Sequence, residues 1–519
     1  MRLKPIITLQ AGAAALLLAA CAQTQPVREV PVAAETVPVV TGPAPEEAGA
    51  EEQVWSDENF DKLLAALRGL SSHGLNPEDY DLDTLEAVRG DKAERDRLAT
   101  AAWQLAASHL LQGKLDPVSM EANWTIPARQ DDIAARLAGA LETGEIAATL
   151  EALAPQQPVY QLMRTELAAQ EAKEQAPIMA VEDGPALKPG MSGPRVAALR
   201  ARLVQLGLLE EEAESNLFDD AAKTALEALQ ADAGLDVDGV AGASTLRALN
   251  RGTAERIAQL RVNLERWRWL PDTLGRRHLR ANIAAFDVTA FEDGAARRTY
   301  LTIVGKPYRR TPVFSDEIEY IVFNPWWETP DSLARSDKLP LFQKDPGAVE
   351  RLGFQVLDRS GNVVDPAGID WNALKASTFP YRLRQAPGPL NALGQVKIMF
   401  PNPYNVYLHD TPSRGLFAEQ QRAFSSGCLR TQYPIELSKW LLSETPGWDS
   451  AAVDTAVASG KETRADLAAR VPVYILYLTT VSDGAGGVRY LDDIYGRDAA
   501  VLAALDTPPG QAVSPAQSR

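Results

Sequence analysis

The sequence has little positive charge and few residues of the kinds that hold metals or form disulfides. Its 519 residues include 52 Lys and Arg against 69 Asp and Glu, for a formal net charge of −17, with four His and two Cys. A chain this acidic repels phosphate backbones, and no basic patch with interleaved aromatic residues offsets that repulsion. We therefore exclude nucleic acid as a partner. Because acids and histidines do not cluster at metal-ligand spacing, we predict no metal site and no other cofactor.

A long apolar run is also missing from the N-terminus. The apolar stretch at residues 6–20 is shorter than the roughly 20 residues that span a bilayer. It follows basic residues and ends in Leu-Ala-Ala-Cys at Cys21, a pattern typical of a signal peptide with a lipobox. This pattern resembles that of bacterial lipoproteins, which implies a lipid on Cys21 and, with Ala22 in place of Asp, sorting to the outer membrane. We predict a periplasmic protein tethered in this way, with a soluble periplasmic protein as the alternative.

Export makes the scarcity of cysteine informative. Once Cys21 carries a lipid, Cys428 has no second thiol for an internal disulfide. A solitary thiol in an oxidising compartment is kept either because it is buried and inert or because it is reactive. The residues around Cys428 decide between these two.

The rest of the chain predicts a multidomain α+β protein. Its length exceeds one ordinary core, and its hydrophobic period changes from helical to alternating near residue 280. The alternating part contains a hairpin that turns at Asp293 and Gly294. The predicted boundaries are a lipoprotein signal peptide at 1–20, a disordered tether at 21–50, a helical scaffold domain at 51–180, a small three-helix module at 185–250, a linking helix returning to the scaffold at 251–280, a mostly β domain at 281–482 and a C-terminal tail at 483–519. A polar, Pro-rich insertion at 325–393 predicts a capping lid.

The small module has a recognisable pattern. Val196, Leu199 and Leu203 share one helical face, and Asp219 and Ser244 are placed to cap two further helices. An acidic Asp-Gly-Val-Ala-Gly loop and a final Thr-Leu-x-x-Leu-Asn follow, and the whole resembles the widespread peptidoglycan-binding domain. A spacer without ligand affinity is the alternative, and no binding residue is assigned here.

The chemistry is concentrated between His409 and Cys428. We place His409 at the end of a strand and Cys428 just before a helix, so that an imidazole and a helix N-terminus both favour the thiolate. Ser425, Ser426 and Gly427 form a tight turn in front of the nucleophile, in which glycine permits unusual backbone geometry and close approach. Backbone amides of this active-site loop are candidates for an oxyanion hole. Arg430 binds a substrate carboxylate or ties down the loop.

These residues resemble a known active site. His-Asp-Thr-Pro-Ser at 409–413, followed by Ser-Ser-Gly-Cys-Leu-Arg at 425–430, is similar to the pattern of L,D-transpeptidases with the YkuD-type domain, especially the large YcbB-like murein transpeptidase branch. The upstream stretches NLERWRWLP, GKPYRRTPVF and IEYIVFNPWW resemble that branch as well. Many smaller members have a second His at the position of Ser426, so any role of that histidine in the family cannot be carried over to this chain.

The resemblance implies a reaction. Cys428 attacks the bond between the L-centre of diaminopimelate and the terminal D-Ala of a tetrapeptide stem, with His409 as base, the Gly427 and Cys428 amides at the oxyanion and Tyr407 lining the site. D-Ala leaves, a thioester forms, and an amine from a second stem completes a 3-3 cross-link. The implied partners are donor and acceptor stem peptides, the outer-membrane lipid anchor on Cys21 and cell-wall synthases.

Three alternatives remain. Water in place of the amine gives an L,D-carboxypeptidase or a hydrolase that releases wall-attached lipoprotein. A non-enzymatic anchor would grip peptidoglycan through the small module alone. Sortase-like and papain-like enzymes fit less well, because the first expects a threonine-rich approach to its cysteine and the second places Cys before His.

Overall fold

The computed structural model describes residues 54–173, 177–210 and 215–510. The predicted signal peptide, the tether and the lipidation site Cys21 lie outside these residues. Within them, no helix combines the length and apolar character needed to cross a bilayer.

Helices dominate the first half of the described chain and strands the second. The α-helices are α1 Asp57–Gly69, α2 Leu82–Ala87, α3 Lys92–Gln112, α4 Pro117–Met120, α5 Ile133–Thr143, α6 Ile146–Leu153, α7 Pro158–Glu171, α8 Pro194–Gln205, α9 Asp220–Ala233, α10 Ala243–Asn250, α11 Thr253–Arg268, α12 Asp331–Leu333, α13 Leu339–Lys344, α14 Ala348–Arg351, α15 Pro434–Leu442, α16 Ser450–Ala458 and α17 Asp498–Leu505. The strands are β1 Arg277–Asn282, β2 Asp287–Glu292, β3 Ala295–Gly305, β4 Phe314–Phe323, β5 Trp327–Glu328, β6 Phe354–Leu357, β7 Val363–Val364, β8 Arg382–Gln385, β9 Val396–Met399, β10 Leu408–His409, β11 Ala423–Ser425, β12 Leu429–Thr431, β13 Thr463–Leu476, β14 Thr480–Ser482 and β15 Val488–Tyr490. A π-helical turn spans Ala334–Lys338.

The scaffold is a helical layer whose core is formed by regularly spaced apolar side chains. In α1 the Ser56 hydroxyl caps the helix by accepting from the Asn59 amide at 3.0 Å, and the stripe that begins at Phe60 is buried. Helix α11 lies far along the chain, yet its Leu260 and Leu264 pack in this same core. The chain therefore returns to the scaffold before it enters the sheet.

The three-helix module has its own core, formed by α8, α9 and α10. Asp219 caps α9 as predicted, because its carboxylate accepts from the Ala222 amide at 2.9 Å. The predicted cap at Ser244 is wrong. The extended backbone of Gly242 already starts α10, so Ser244 lies in the first turn, where its hydroxyl accepts from Arg247 at 2.9 Å.

The β domain is one sheet that closes on itself. Its strand order is β11-β3-β12-β10-β9-β4-β13-β1-β2, and β2 also pairs with β3. The hairpin between β2 and β3 turns at Asp293 and Gly294, with φ of 52° and 76°, which confirms the prediction. Apolar side chains such as Ile321, Ile398 and Leu408 fill one face, while the opposite face of β9, β10 and β12 holds polar residues.

The insertion between β4 and β9 forms a small subdomain with its own core. Strands β5, β8, β6 and β7 make a second sheet, and α13, the π-helical turn and 3₁₀ segments cover it. Trp327, Phe342, Phe354 and Trp371 are buried together there. The predicted fold class, multidomain α+β with a helical scaffold, a three-helix module and a mostly β domain, is confirmed.

The segment after residue 482 is not a tail as far as it is described. Strands β14 and β15 pair, and the Tyr490 hydroxyl donates to Glu166 on α7 at 3.0 Å. Tyr495 is buried in the core of the β domain, and α17 packs beside α11. Burial of these large side chains holds the segment against both domains, so the prediction of a tail at 483–519 is wrong for its described part.

Candidate active site

Three adjacent strands bring the predicted site residues onto one face of the sheet. In the ladder β9-β10-β12, His409 lies opposite Lys397 on one side and Arg430 on the other. Side chains alternate along a strand, so Tyr407 and Cys428 project from the same face as His409 and Arg430. The Leu429 amide donates to the Tyr407 carbonyl at 3.1 Å, which extends the pairing to Cys428.

His409 is a buried, neutral imidazole with a defined tautomer. Its Nδ1 lies 2.5 Å from the backbone carbonyl of Asp410. A carbonyl oxygen only accepts, so Nδ1 carries the proton and Nε2 keeps its lone pair. Burial lowers the pKa of His409 to about 3, and the nearby charges of Arg430 and Lys397 act in the same direction. His409 is therefore a base that is already deprotonated near neutral pH.

Cys428 is a partly exposed thiol that donates a hydrogen bond to the loop before β10. Its Sγ donates to the Asn405 carbonyl at 3.5 Å. Burial raises the pKa of Cys428 above its ordinary value. Hydrogen bonds from the amide and hydroxyl of Tyr407 and the charges of Lys397 and Arg430 lower this pKa, but by less than burial raises it. The thiol is thus protonated at rest, and the pair is neutral thiol with neutral imidazole.

The predicted helix N-terminus behind Cys428 is absent. Strand β12 follows the cysteine directly, and α15 begins only at Pro434. Leu429 and Thr431 are buried and alternate with half-buried Arg430, which is the period of a strand. The helix-dipole contribution to the thiolate is therefore wrong, and donors from Tyr407 take its place.

The turn before the nucleophile is built by Ser425 and Gly427. The Ser425 hydroxyl donates to the Cys428 carbonyl at 2.6 Å and accepts from the Gly427 amide at 3.1 Å. Gly427 has φ +122°, a conformation that side chains rarely adopt. A Cβ there would meet its nearest atom, the Arg310 carbonyl oxygen, at 3.8 Å, so conformation rather than close approach requires glycine.

Two residues that the sequence reasoning missed hold this turn in place. The Thr311 hydroxyl donates to the Gly427 carbonyl at 2.9 Å and accepts from the Gly305 amide at 3.0 Å. Tyr495 donates to the Gly305 carbonyl at 2.6 Å and accepts from the Thr311 amide at 3.1 Å. The C-terminal segment therefore positions the nucleophile turn. The stretch GKPYRRTPVF contains Thr311, but nothing in its pattern links it to Tyr495.

Tyr407 and Arg309, which lie outside the capping subdomain, connect it to the site. Tyr407 packs against both the sheet core and the cap core, which includes Trp327. Arg309 donates to both carboxylate oxygens of Asp337 at 2.6 Å and to the Ser426 hydroxyl at 3.2 Å. This ion pair lowers the pKa of Asp337 to about 2. Cap and nucleophile turn are therefore joined by a charged contact.

Lys397 is a site residue that the sequence reasoning did not name. Its Nζ lies 4.2 Å from the centre of the Tyr407 ring, and burial lowers the pKa of the ammonium. Burial also lowers the pKa of Arg430, whose Nε is buried and has no hydrogen-bond partner among the described residues. The signal was a lysine at alternating spacing in Val-Lys-Ile-Met, which places it opposite the apolar residues of β9.

Comparison with known protein families divides the chain into three regions. Residues 48–167 match the scaffold domain and residues 276–464 the L,D-transpeptidase catalytic domain. Residues 192–249 match a family described as "Putative peptidoglycan binding domain". Every candidate site residue from Lys397 to Arg430 falls within the second region.

A curated protein of Haemophilus influenzae named "Putative L,D-transpeptidase" is 39% identical over 240 residues, which cover 46% of this chain and 48% of that protein. The chain thus spans about half the length of this relative. Among solved structures, an L,D-transpeptidase from Mycobacterium smegmatis aligns at 14% identity and a TM-score of 0.19, over 40% of this chain and 61% of that one. L,D-transpeptidase 1 of Mycobacterium tuberculosis aligns at 14% identity and 0.16, over 40% and 64%. At these TM-scores the structural likeness supports no conclusion. From the sequence matches, the chain carries a YkuD-type L,D-transpeptidase catalytic domain together with a scaffold domain and a peptidoglycan-binding domain.

Proposed function

We propose that this protein is a cysteine L,D-transpeptidase that forms 3-3 cross-links between peptidoglycan stems. The proposal rests on one observation: the strand register puts the Cys428 thiol and the neutral His409 imidazole on one face of the sheet, on adjacent segments of a matched L,D-transpeptidase catalytic domain. A buried imidazole with a free Nε2 lone pair suits a general base, and an otherwise unpaired thiol suits a nucleophile.

The first half-reaction is acylation by a donor tetrapeptide. His409 Nε2 takes the Cys428 proton as Sγ attacks the carbonyl at the L-centre of diaminopimelate. We assign the developing oxyanion to the Cys428 amide, because the Gly427 amide already donates to the Ser425 hydroxyl. His409 then returns the proton to the departing nitrogen. D-Ala leaves with an amine, and the stem remains on Sγ as a thioester.

The second half-reaction decides the activity. In transpeptidation the side-chain amine of another stem attacks the thioester and His409 accepts its proton. The C–S bond then breaks, the proton returns to Cys428 Sγ, and the amide formed is the cross-link. If water attacks instead, the product is a tripeptide and the enzyme is an L,D-carboxypeptidase. The capping subdomain supports the first outcome, since a cover over the acyl-enzyme favours a bound amine over bulk water.

The remaining regions suggest where the reaction takes place. We propose that the three-helix module holds peptidoglycan and that the N-terminal segment exports the chain and anchors it to the outer membrane by a lipid on Cys21. The lipobox pattern at residues 18–21 supports the anchor. Mass spectrometry of the protein extracted from membranes tests it, since an unlipidated Cys21 contradicts the anchor without touching the catalytic proposal.

Product analysis tests the enzymatic proposal. The full chain, its Cys428→Ala variant and its Cys21→Ala variant are each incubated with purified disaccharide tetrapeptide, and products are separated by liquid chromatography and mass spectrometry. We expect cross-linked dimer and free D-Ala from the native chain and from Cys21→Ala, and at least about a thousandfold less from Cys428→Ala. Tripeptide without dimer makes the enzyme a carboxypeptidase. Equal products from the Cys428→Ala variant contradict the proposal.

A further inference from the structure

We infer that Lys397 and Arg430 form a carboxylate-binding subsite beside Cys428, and that it holds the C-terminal carboxylate of the amino acid that leaves during acylation. The inference rests on the proposed function for the identity of that ligand. It turns a general transpeptidase site into one that requires a free terminal carboxylate on the donor stem.

Both cations are half-buried and have no described carboxylate beside them. Burial lowers the pKa of each, and neither forms an ion pair within 4 Å among the residues that the structure describes. Glu462 acts on Lys397 only through longer-range charge, and its carboxylate accepts from the Trp326 amide at 2.7 Å. A desolvated cation that lacks a partner is costly, and proteins normally place an anion next to it.

Two fully buried cations elsewhere in the molecule do have such a partner. Buried Lys114 lies 2.6 Å from Asp79, and fully buried Arg268 is paired with Glu265. A protein with 69 acidic residues does not lack carboxylates, yet none of those that the structure describes lies at Lys397 or Arg430. The missing anion is therefore expected to arrive with the ligand.

The register places the two cations on either side of the base. Lys397 and Arg430 each lie one strand from His409, on the face that carries Cys428. Neighbouring strands are about 4.8 Å apart, so two long side chains can meet over the central strand. A carboxylate held there lies close to Sγ. In the donor peptide, the leaving residue's carboxylate is three covalent bonds from the carbonyl under attack, whereas other carboxylates lie farther along the stem.

A third cation extends the subsite from the cap. Lys338, in the π-helical turn, lies 5.4 Å from the Phe354 ring centre, and burial is the main cause of its lowered pKa, with the charge of Arg430 contributing. The charges of Lys397 and Arg430 also lower the pKa of His409. An anion bound between Lys397 and Arg430 offsets this effect. A donor with a free carboxylate therefore makes His409 a stronger base in the acylation of Cys428.

The test compares a tetrapeptide donor that has a free C-terminus with its C-terminal amide. D-amino acid or D-amino amide release is measured for the native full chain, Lys397→Met, Arg430→Gln and the control Lys344→Met, which removes an exposed lysine from the cap. Binding of both peptides is measured by calorimetry on the Cys428→Ala variant. Inactivation by iodoacetamide, an uncharged alkylating agent, is followed against pH for each cysteine-containing protein.

We expect the native chain to prefer the acid over the amide by about thirtyfold in kcat/KM, since hydrogen bonds between charged groups are stronger than those to a neutral amide. Lys397→Met and Arg430→Gln should each lose most of this preference, mainly because kcat/KM for the acid falls. Lys344→Met should keep it. The Cys428→Ala variant should bind the acid more tightly than the amide.

Other results separate this inference from the proposed function. If Lys397→Met loses activity equally on both substrates and its alkylation shifts to higher pH, the cations stabilise the thiolate. That result overturns the subsite. Equal binding of acid and amide overturns it too. Preferential binding of the acid without turnover of either peptide contradicts the transpeptidase proposal and supports the subsite.

Discussion

Two groups of charged side chains in this molecule, one fully buried and one half-buried, have opposite surroundings. In the scaffold, Arg268 and Glu265 are both fully buried and form an ion pair. Glu265 also accepts from the Leu115 amide at 2.8 Å and from the Trp269 indole at 3.0 Å. Every charge in that group has a partner from the chain itself.

On the catalytic face, Lys397 and Arg430 surround a neutral histidine and a neutral thiol. Burial lowers the pKa of both cations, and within the described part of the chain the Nε of Arg430 has no hydrogen-bond partner. The difference indicates that the scaffold charges were balanced to fix a structure, whereas the site charges were left for a ligand to balance. Substitutions in the two groups should therefore change stability in opposite directions.

The largest expected effect is in the scaffold. Glu265→Gln leaves Arg268 buried without its counter-charge, and removing one partner of a buried pair typically costs about 3–5 kcal/mol. We expect a loss of about that size in the free energy of unfolding, measured by urea denaturation. The matched control is Glu58→Gln, which removes an exposed i,i+4 pair with Lys62 and should cause no measurable change. A Glu265→Gln protein as stable as the native one would contradict the comparison.

The same kind of change in the active site should be stabilising. Lys397→Met removes a desolvated charge and keeps the apolar stem, so we expect the free energy of unfolding to rise by about 1 kcal/mol while activity falls. Thermal and urea unfolding of the ligand-free protein measure this, with Lys344→Met as the exposed control. A destabilised Lys397→Met protein would show that a partner within the chain already balances Lys397.

The contact between cap and nucleophile turn should have a smaller effect. Arg309→Gln breaks the bidentate pair with Asp337, and exposed ion pairs contribute about 0.2–1 kcal/mol. We expect KM for the donor peptide to rise by about two- to fivefold with little change in kcat. Arg335→Gln, which loses a longer contact with Asp331 at 3.5 Å, serves as control. A large fall in kcat instead would place Arg309 in the chemistry.

The smallest expected effect is that of pH. Because the pKa of His409 is lowered to about 3, the base stays deprotonated down to pH 5, where an ordinary imidazole would be charged. The raised pKa of Cys428 keeps the thiol protonated through the same range. We expect kcat/KM for D-Ala release to vary by less than about twofold between pH 5 and 8. A loss of rate below pH 6.5 would indicate an ordinary histidine, and a tenfold rise per pH unit a pre-formed thiolate.

Local sequence patterns predicted much of the fold and the two candidate catalytic residues, His409 and Cys428. The Asp-Gly turn between β2 and β3 was predicted because both residues adopt positive φ at low cost. His409 and Cys428 were found because each lies in a short motif. The predicted helix after Cys428 failed because a run as short as Leu-Arg-Thr carries little periodicity, and pairing with β3 and β10 decided its conformation.

Residues joined only by tertiary structure escaped prediction. Lys397 lies twelve residues before His409 and becomes its neighbour through antiparallel pairing of β9 with β10. Tyr495 reaches the nucleophile turn through Gly305 and Thr311, which are about 190 residues earlier in the chain. No local pattern records such contacts, so a segment near the C-terminus appeared to be a tail. The roles of Cys428 and His409 stay predictions until activity is measured.

The most direct measurement is intact-mass spectrometry of the full chain mixed with donor tetrapeptide, followed by peptide mapping. The account predicts a transient mass increase equal to the stem without its D-Ala, located on the peptide that contains Cys428, and its disappearance when acceptor stem is added. The Cys21→Ala protein should behave in the same way. Turnover of the donor with no adduct on Cys428, or with an adduct on another residue, would contradict the account.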